Sequence, residues 1–200
     1  MRYRYSGQNG KLQQLWVFGY GSLVNPATHT FAEHVPATLH GWRRQWRHWV
    51  NGPTRFATSL TAEPDPTTNI HGLLARVPEA EWDALDEREK GYDRITIPGD
   101  RITHDGPAEI TVITYQSRVP RAGNTDFPIL QSYLDVVLKG FCDHYGDAGL
   151  QHFLNTTDGW GAPIKRDRAR PIYPRAVTLP PSDEAKFDDM LTAHGARWID

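Results

Sequence analysis

Apolar positions along this chain follow two periods. The stretches Leu15 to Phe18, Ala37 to Arg47, Arg55 to Leu60, Ile70 to Val77, Arg94 to Ile97 and Ile110 to Tyr115 are short, β-branched or aromatic, and parted by turn-rich segments, which predicts strands. Asn51-Gly52-Pro53 and Glu63-Pro64-Asp65-Pro66 are expected to break them. From Pro78 to about Lys90 the period changes: Trp82, Leu85 and Glu89 recur at three- and four-residue spacing, so a helix turns Glu89 the way its apolar face points. A second helix is predicted over Ile129 to Tyr145, with Leu130, Tyr133, Leu134, Val137 and Phe141 as its stripe, and a third from Ser182, its expected N-cap, to His194. The fold class that follows is α+β: a mainly antiparallel sheet curling towards a small mixed β-barrel, with flanking helices. Residues 1–14 read as a polar lead-in, 15–155 as the main domain and 156–200 as a C-terminal extension whose helix packs on it.

Composition narrows the function. Two hundred residues with 22 basic and 24 acidic side chains, a formal charge of −2, suit one globular domain and supply no general attraction for nucleic acid or a membrane surface. No segment reaches the ~20 apolar residues of a membrane span, and the amino terminus lacks the apolar run of a secretory signal, so a cytoplasmic location is expected. The one cysteine, Cys142, lies in an apolar stretch and reads as a buried structural thiol. Nine histidines are scattered without paired ligand spacing, so no metal is expected.

Candidate chemistry sits at two places. After the first strand comes Gly19-Tyr20-Gly21-Ser22-Leu23, where two glycines permit positive φ and close approach of a ligand to the backbone. Val24 and Pro26 stand where a dinucleotide loop needs a third glycine and a helix, and Ser22 is not framed as a Gly-x-Ser-x-Gly nucleophile. The second place is the acidic end of the first helix, Asp86-Glu87-Arg88-Glu89, with Glu89 inward and Asp86 and Glu87 facing solvent or capping neighbours. Two basic stretches admit other readings. Trp42-Arg43-Arg44-Gln45-Trp46-Arg47 interleaves aromatics with arginines, as a single-stranded nucleic-acid platform would. It also fits a two-sided strand with Trp42, Gln45 and Arg47 off the face of Trp46 and arginine stems over aromatics. Lys165 to Arg170, with Arg175, reads as an exposed loop or as an anion or carboxylate site.

Taken together, Tyr20-Gly21-Ser22-Leu23, the run Leu39 to Arg44, Ile70 to Val77 followed by Leu85 to Glu89, and Gln131 to Leu134 resemble the gamma-glutamylcyclotransferase superfamily, with its ChaC-type and AIG2-like branches. The resemblance covers residues 15 to about 155. It implies release of 5-oxoproline from a small gamma-glutamyl substrate without a cofactor. The substrate's α-amine attacks its own γ-carbonyl, Glu89 shuttles the proton, and Tyr20, Gly21, Ser22 and Leu23 hold the glutamyl group, with Tyr92 and Tyr133 as pocket tyrosines. Gly-Ser-Leu matches the ChaC-type loop, whereas Lys90-Gly91-Tyr92 lacks that branch's doubled glycine, so the leaving group stays open among amino acids, the Cys-Gly of glutathione and amines. A non-catalytic binding module on the same scaffold is the competing reading.

Overall fold

The computed structural model describes residues 14–48, 57–118, 121–122 and 127–200. The expected lead-in, apart from Gln14, lies outside these, as do the Asn51-Gly52-Pro53 break and Arg55 and Phe56. The strands are β1 (Gln14–Gly19), β2 (His34–His48), β3 (Thr58–Arg76), β4 (Tyr92–Ile97), β5 (Ile102–His104), β6 (Ile110–Ser117), β7 (Arg121–Ala122), β8 (Ile129–Leu130), β9 (Thr157–Asp158), β10 (Ile164–Lys165) and β11 (Trp198–Ile199). The helices are α1 (Trp82–Arg88), α2 (Gln131–Asn155) and α3 (Pro181–Ala193). The fold is α+β, and all described strands belong to one mixed sheet, antiparallel along its long β2–β3 and β4–β6 ladders. Among the described residues no helix is long and apolar enough to cross a membrane.

β1 is the central strand and shows why its sequence does not alternate. It pairs antiparallel with β3 and parallel with β6, and both of its faces are covered. Trp16 and Phe18 enter the larger core, shared with α2 and α3, while Val17 enters a smaller one with Leu23, Trp82, Leu85 and Tyr115. The smaller core clamps α1 beside the end of β1. The larger core also holds Ile164, Phe187 and Leu191 from the last 45 residues.

Several expectations change. Glu63 to Pro66 does not end a strand: β3 continues through it. The proline effect falls on the ladder instead, because His40 pairs with Asn69 and Trp42 with Pro64, which leaves residues 65–68 without partners on β2. This part of β3 has β2 on one side only, where missing proline N–H groups are tolerated. α2 runs past Tyr145 to Asn155, with a break at Gly146 (φ 61°, ψ −158°) and buried Leu150, Phe153 and Leu154 beyond it. Ser182 is not the N-cap of α3; Pro180 holds that position and Pro181 opens the helix, where a proline sacrifices no hydrogen bond. Cys142 is half-buried rather than buried.

The Arg/Trp strand corrects a parity error. Trp42 and Trp46 share a face, and with Arg44 and His48 that face is buried; Arg44 is fully enclosed. Its guanidinium lies 4.7 Å from the Phe141 ring centre and 5.2 Å from that of Phe153. It donates to Tyr20 O (2.9 Å), to Thr156 Oγ1 (2.9 Å) and to His71 O. Burial pushes its pKa down to about 9, so it remains a cation at neutral pH. Arg43 is paired with Asp158, and Arg47 with Glu63.

Candidate active site

The loop leaving β1 is a single 3-10 turn, Ser22–Val24, with Asn25 opening a second turn behind it. Neither Gly19 nor Gly21 has positive φ, contrary to expectation; what they supply is space. A Cβ on Gly19 would lie 2.5 Å from Leu23 Cβ, and one on Gly21 would lie 3.0 Å from the Tyr133 hydroxyl. Three successive carbonyls of the loop are committed: Tyr20 O to Arg44, Gly21 O to the Val24 N–H (3.0 Å), and Ser22 O to the Asn25 N–H (3.2 Å) and Thr28 hydroxyl (2.9 Å). In a trans peptide the following N–H points opposite to its carbonyl. The N–H groups of Gly21, Ser22 and Leu23 are thereby turned away from those partners.

Glu89 is delivered by α1. Trp82 and Leu85 seat the helix in the smaller core, and Arg94 stacks on Trp82 (4.5 Å) while pairing with Asp86, which also accepts from the Tyr115 hydroxyl (2.7 Å). Glu89 is the C-cap, its N–H bonded to Leu85 O at 2.9 Å. Gly91, at φ 108°, then turns the chain into β4, and a side chain there would be strained. The Glu89 side chain is 17% exposed against 74% for Glu87, which pairs with Lys90 on the surface. Burial raises the Glu89 pKa above the usual glutamate value, and the Arg88 and Arg175 cations hold it back.

The structure brings all seven sequence-proposed residues to one cavity of about 40 Å³: Tyr20, Gly21, Ser22, Leu23, Glu89, Tyr92 and Tyr133. Their polar atoms differ in availability. The Tyr20 hydroxyl donates to Tyr115 O at 2.5 Å, so it braces the loop against β6. The Tyr92 hydroxyl lies 2.8 Å from Ser59 Oγ and donates to Leu60 O at 2.9 Å. The Tyr133 ring stands edge-on to Trp46 and to Tyr173. Burial raises the pKa of all three tyrosines, which keeps them neutral donors.

Two residues were missed. Arg88 joins the halves of the site: its Nε is 3.1 Å from Glu89 Oε1, and its Nη2 donates to Ser22 Oγ at 3.0 Å. It also donates to Thr28 O (2.8 Å). The signal was present, because Arg88 is three residues after Leu85 and so shares the inward side of α1 with Glu89. Arg175 was read within the basic stretch, as an exposed loop or an anion or carboxylate site, but was not joined to Glu89 and the glycine loop. It lines a second cavity of about 100 Å³ that shares Ser22, Glu89, Tyr92 and Tyr133 with the first. Within that basic stretch Arg168 binds Asp135 and Asp188, Arg166 lies over Trp198, and Lys165 belongs to β10.

A family model described as ChaC-like protein matches residues 15–123. A solved structure described as gamma-glutamyl cyclotransferase superposes with a TM-score of 0.58 at 14% identity, over 88% of this chain and 99% of that one. An uncharacterized protein from Homo sapiens does so with a TM-score of 0.58 at 16% identity and the same coverage. YkqA from Bacillus subtilis gives 0.57 at 17% identity over 73% of this chain; the match spans 56% of YkqA. At such identities the likeness is one of fold. No curated protein matches the chain. The matched 15–123 segment takes in β1, the glycine loop, α1, Glu89 and Tyr92, more than half of the chain, and on that match the chain belongs to the ChaC-like protein family.

Proposed function

We propose that the protein is a gamma-glutamylcyclotransferase that converts a gamma-glutamyl compound into 5-oxoproline and a free amine. The observation that carries this reading is the meeting of Glu89, an enclosed carboxylate of raised pKa, with a loop whose N–H groups are turned away from its bound carbonyls, all on one small cavity. The cyclisation needs little more. The attacking amine and the γ-carbonyl belong to one molecule, so folding the glutamyl chain supplies a high effective concentration.

In the proposed reaction the substrate nitrogen goes from ammonium to lactam N–H and gives up two protons. The leaving nitrogen goes from amide N–H to ammonium and takes two up. Glu89 ferries them, and a carboxylate of raised pKa is better matched to both steps than a solvated one. The new C–N bond forms at the γ-carbon, its oxygen becomes an oxyanion facing the Gly21–Leu23 N–H groups, and the amide C–N bond then breaks. Arg88 opposes the rise that burial imposes on Glu89 and ties it to Ser22. Tyr92 and Tyr133, as neutral hydroxyls, wall the glutamyl group.

The test is 5-oxoproline release from a panel of gamma-glutamyl compounds, each also offered with its α-amine acetylated. Acetylation is expected to abolish product because the attacking lone pair is lost. Release of N-acetylglutamate from the blocked compounds would indicate a hydrolase and overturn the assignment. Added chelator is expected to leave the rate unchanged.

A further inference from the structure

The C-terminal segment reaches the site through a strap that lies outside the family-matched residues. Asp167, 5% exposed, receives the Ser132 N–H (2.8 Å) and hydroxyl (2.5 Å) and the Ile172 N–H (2.9 Å). The Tyr173 N–H donates to Ser132 Oγ at 3.2 Å, and the Tyr173 ring centre is 5.0 Å from that of Tyr133. The strap is thus fixed to the first turn of α2, and its next residues, Pro174 and Arg175, line the second cavity.

Arg88 and Arg175 are the two cations lining that cavity, and their states differ. Arg88 is committed to Glu89, Ser22 and Thr28. Arg175 forms no salt bridge or hydrogen bond among the described residues and is solvent-exposed. The first cavity is lined by no basic side chain. A glutamyl group in the first cavity, with its γ-carbonyl between Glu89 and the loop, leaves the second cavity to the departing half of the substrate. We infer that Arg175 is a specificity-determining residue which receives a carboxylate carried by that departing half, so that the protein favours gamma-glutamyl amino acids or peptides over gamma-glutamyl amines. This rests on the cyclotransferase reading for the reaction but not for the recognition.

The probes are gamma-glutamylalanine and gamma-glutamyl ethylamide, which differ by that carboxylate. In the unaltered protein kcat/KM for the first is expected to exceed the second by about tenfold or more, as for a charge-assisted contact. In Arg175→Gln the ratio is expected to collapse to within about threefold, and in Arg175→Lys to be partly restored. A ratio unchanged by Arg175→Gln overturns the inference. So does an equal loss on both compounds, which would put Arg175 on the shared glutamyl half. Calorimetric binding of both compounds to the Glu89→Gln protein, with and without Arg175→Gln, separates the two readings. A binding preference that vanishes with Arg175 supports the inference even if no 5-oxoproline is formed. Absence of any preference overturns it even if turnover is brisk.

Discussion

Glu89→Gln is the substitution that separates proton transfer from scaffolding. Glutamine keeps nearly the volume of glutamate and retains an oxygen where Arg88 Nε now meets Oε1 at 3.1 Å. What it removes is the charge and the ability to accept and return a proton. Loss of a positioned acid-base group costs roughly a hundred- to ten-thousandfold, about 3–5 kcal/mol of barrier, and is expected in kcat with little change in KM. Stability is expected to move far less. Arg88 loses an anionic partner but keeps Ser22 and Thr28, while a carboxylate that burial penalises disappears. A net change within about 1 kcal/mol corresponds to a melting shift within about 2–4 °C for a chain of this size.

The sign of the pH dependence gives a second reading from the same pair of proteins. A carboxyl whose folded pKa is raised binds more protons in the folded than in the unfolded state above the ordinary value of 4.5, so it lowers stability as pH rises through that window. The melting temperature of Glu89→Gln relative to the unaltered protein is therefore expected to improve between pH 4 and neutrality. Retained turnover of 5-oxoproline, with a matching melting curve, would refute Glu89 as the proton carrier. A larger loss in Glu87→Gln, whose side chain is solvent-exposed, would refute the orientation of α1.

Other expectations follow from individual contacts. Gly21→Val places a branched side chain against the Tyr133 hydroxyl, where even a Cβ would lie at 3.0 Å, and is expected to raise KM and lower kcat in the same assay; wild-type kinetics would mean the loop is only a turn. Arg44→Met leaves the Tyr20 and His71 carbonyls without a buried donor, at about 1–3 kcal/mol each, partly offset by relief of a buried cation, so a lowered melting temperature together with a raised KM is expected. Arg88→Met removes the cation that most favours ionised Glu89, and the acid limb of kcat/KM is expected to move to higher pH; an unmoved limb would show that another group sets it. Burial holds His29 and His152 near a pKa of about 4 instead of 6.5, so the unfolded chain binds more protons between those values. Urea midpoints are expected to be highest above pH 6.5 and to fall as pH drops towards 4; a flat profile would contradict the buried neutral rings.

How much of this was legible in the sequence depends on whether a local period carried the information. The α1 phase located Glu89, because Leu85 and Glu89 are one turn apart. The apolar run of β1 marked a covered strand, and with it the loop at its end. Arg88 obeyed the same helix phase and was passed over as one charge in a cluster. Arg44 was lost to a slip of parity: counting by two from Trp42 to Trp46 crosses it, and a cation between two buried tryptophans must find carbonyls and rings inside. The course of β3 through Pro64 and Pro66 was not readable, since it depends on which edge has a neighbour. Nor was the arrival of Arg175, because the bonds from Asp167 to Ser132 join residues 35 apart that no local pattern links.

For the proposed reaction, the two committed arginines are what would make so small a loop a fixed polar surface. A loop of glycines and a serine is free to rotate its peptide planes, and an N–H group that turns during the reaction must be reoriented when charge develops. Here Arg44 holds the Tyr20 carbonyl from beneath, and Arg88 holds Ser22 and Thr28 from the side. Both side chains only donate hydrogen bonds, so each fixes an oxygen and leaves the adjoining N–H unspent. Among the described residues Arg44 has no carboxylate partner, and it lies against the adjoining rings of Phe141 and Phe153. Enclosing a cation this way is costly, and a methionine of similar length would pack well. Among the contacts that only an arginine supplies is the one to the loop, which is why a change buried behind the cavity is expected to register in KM as well as in the melting curve.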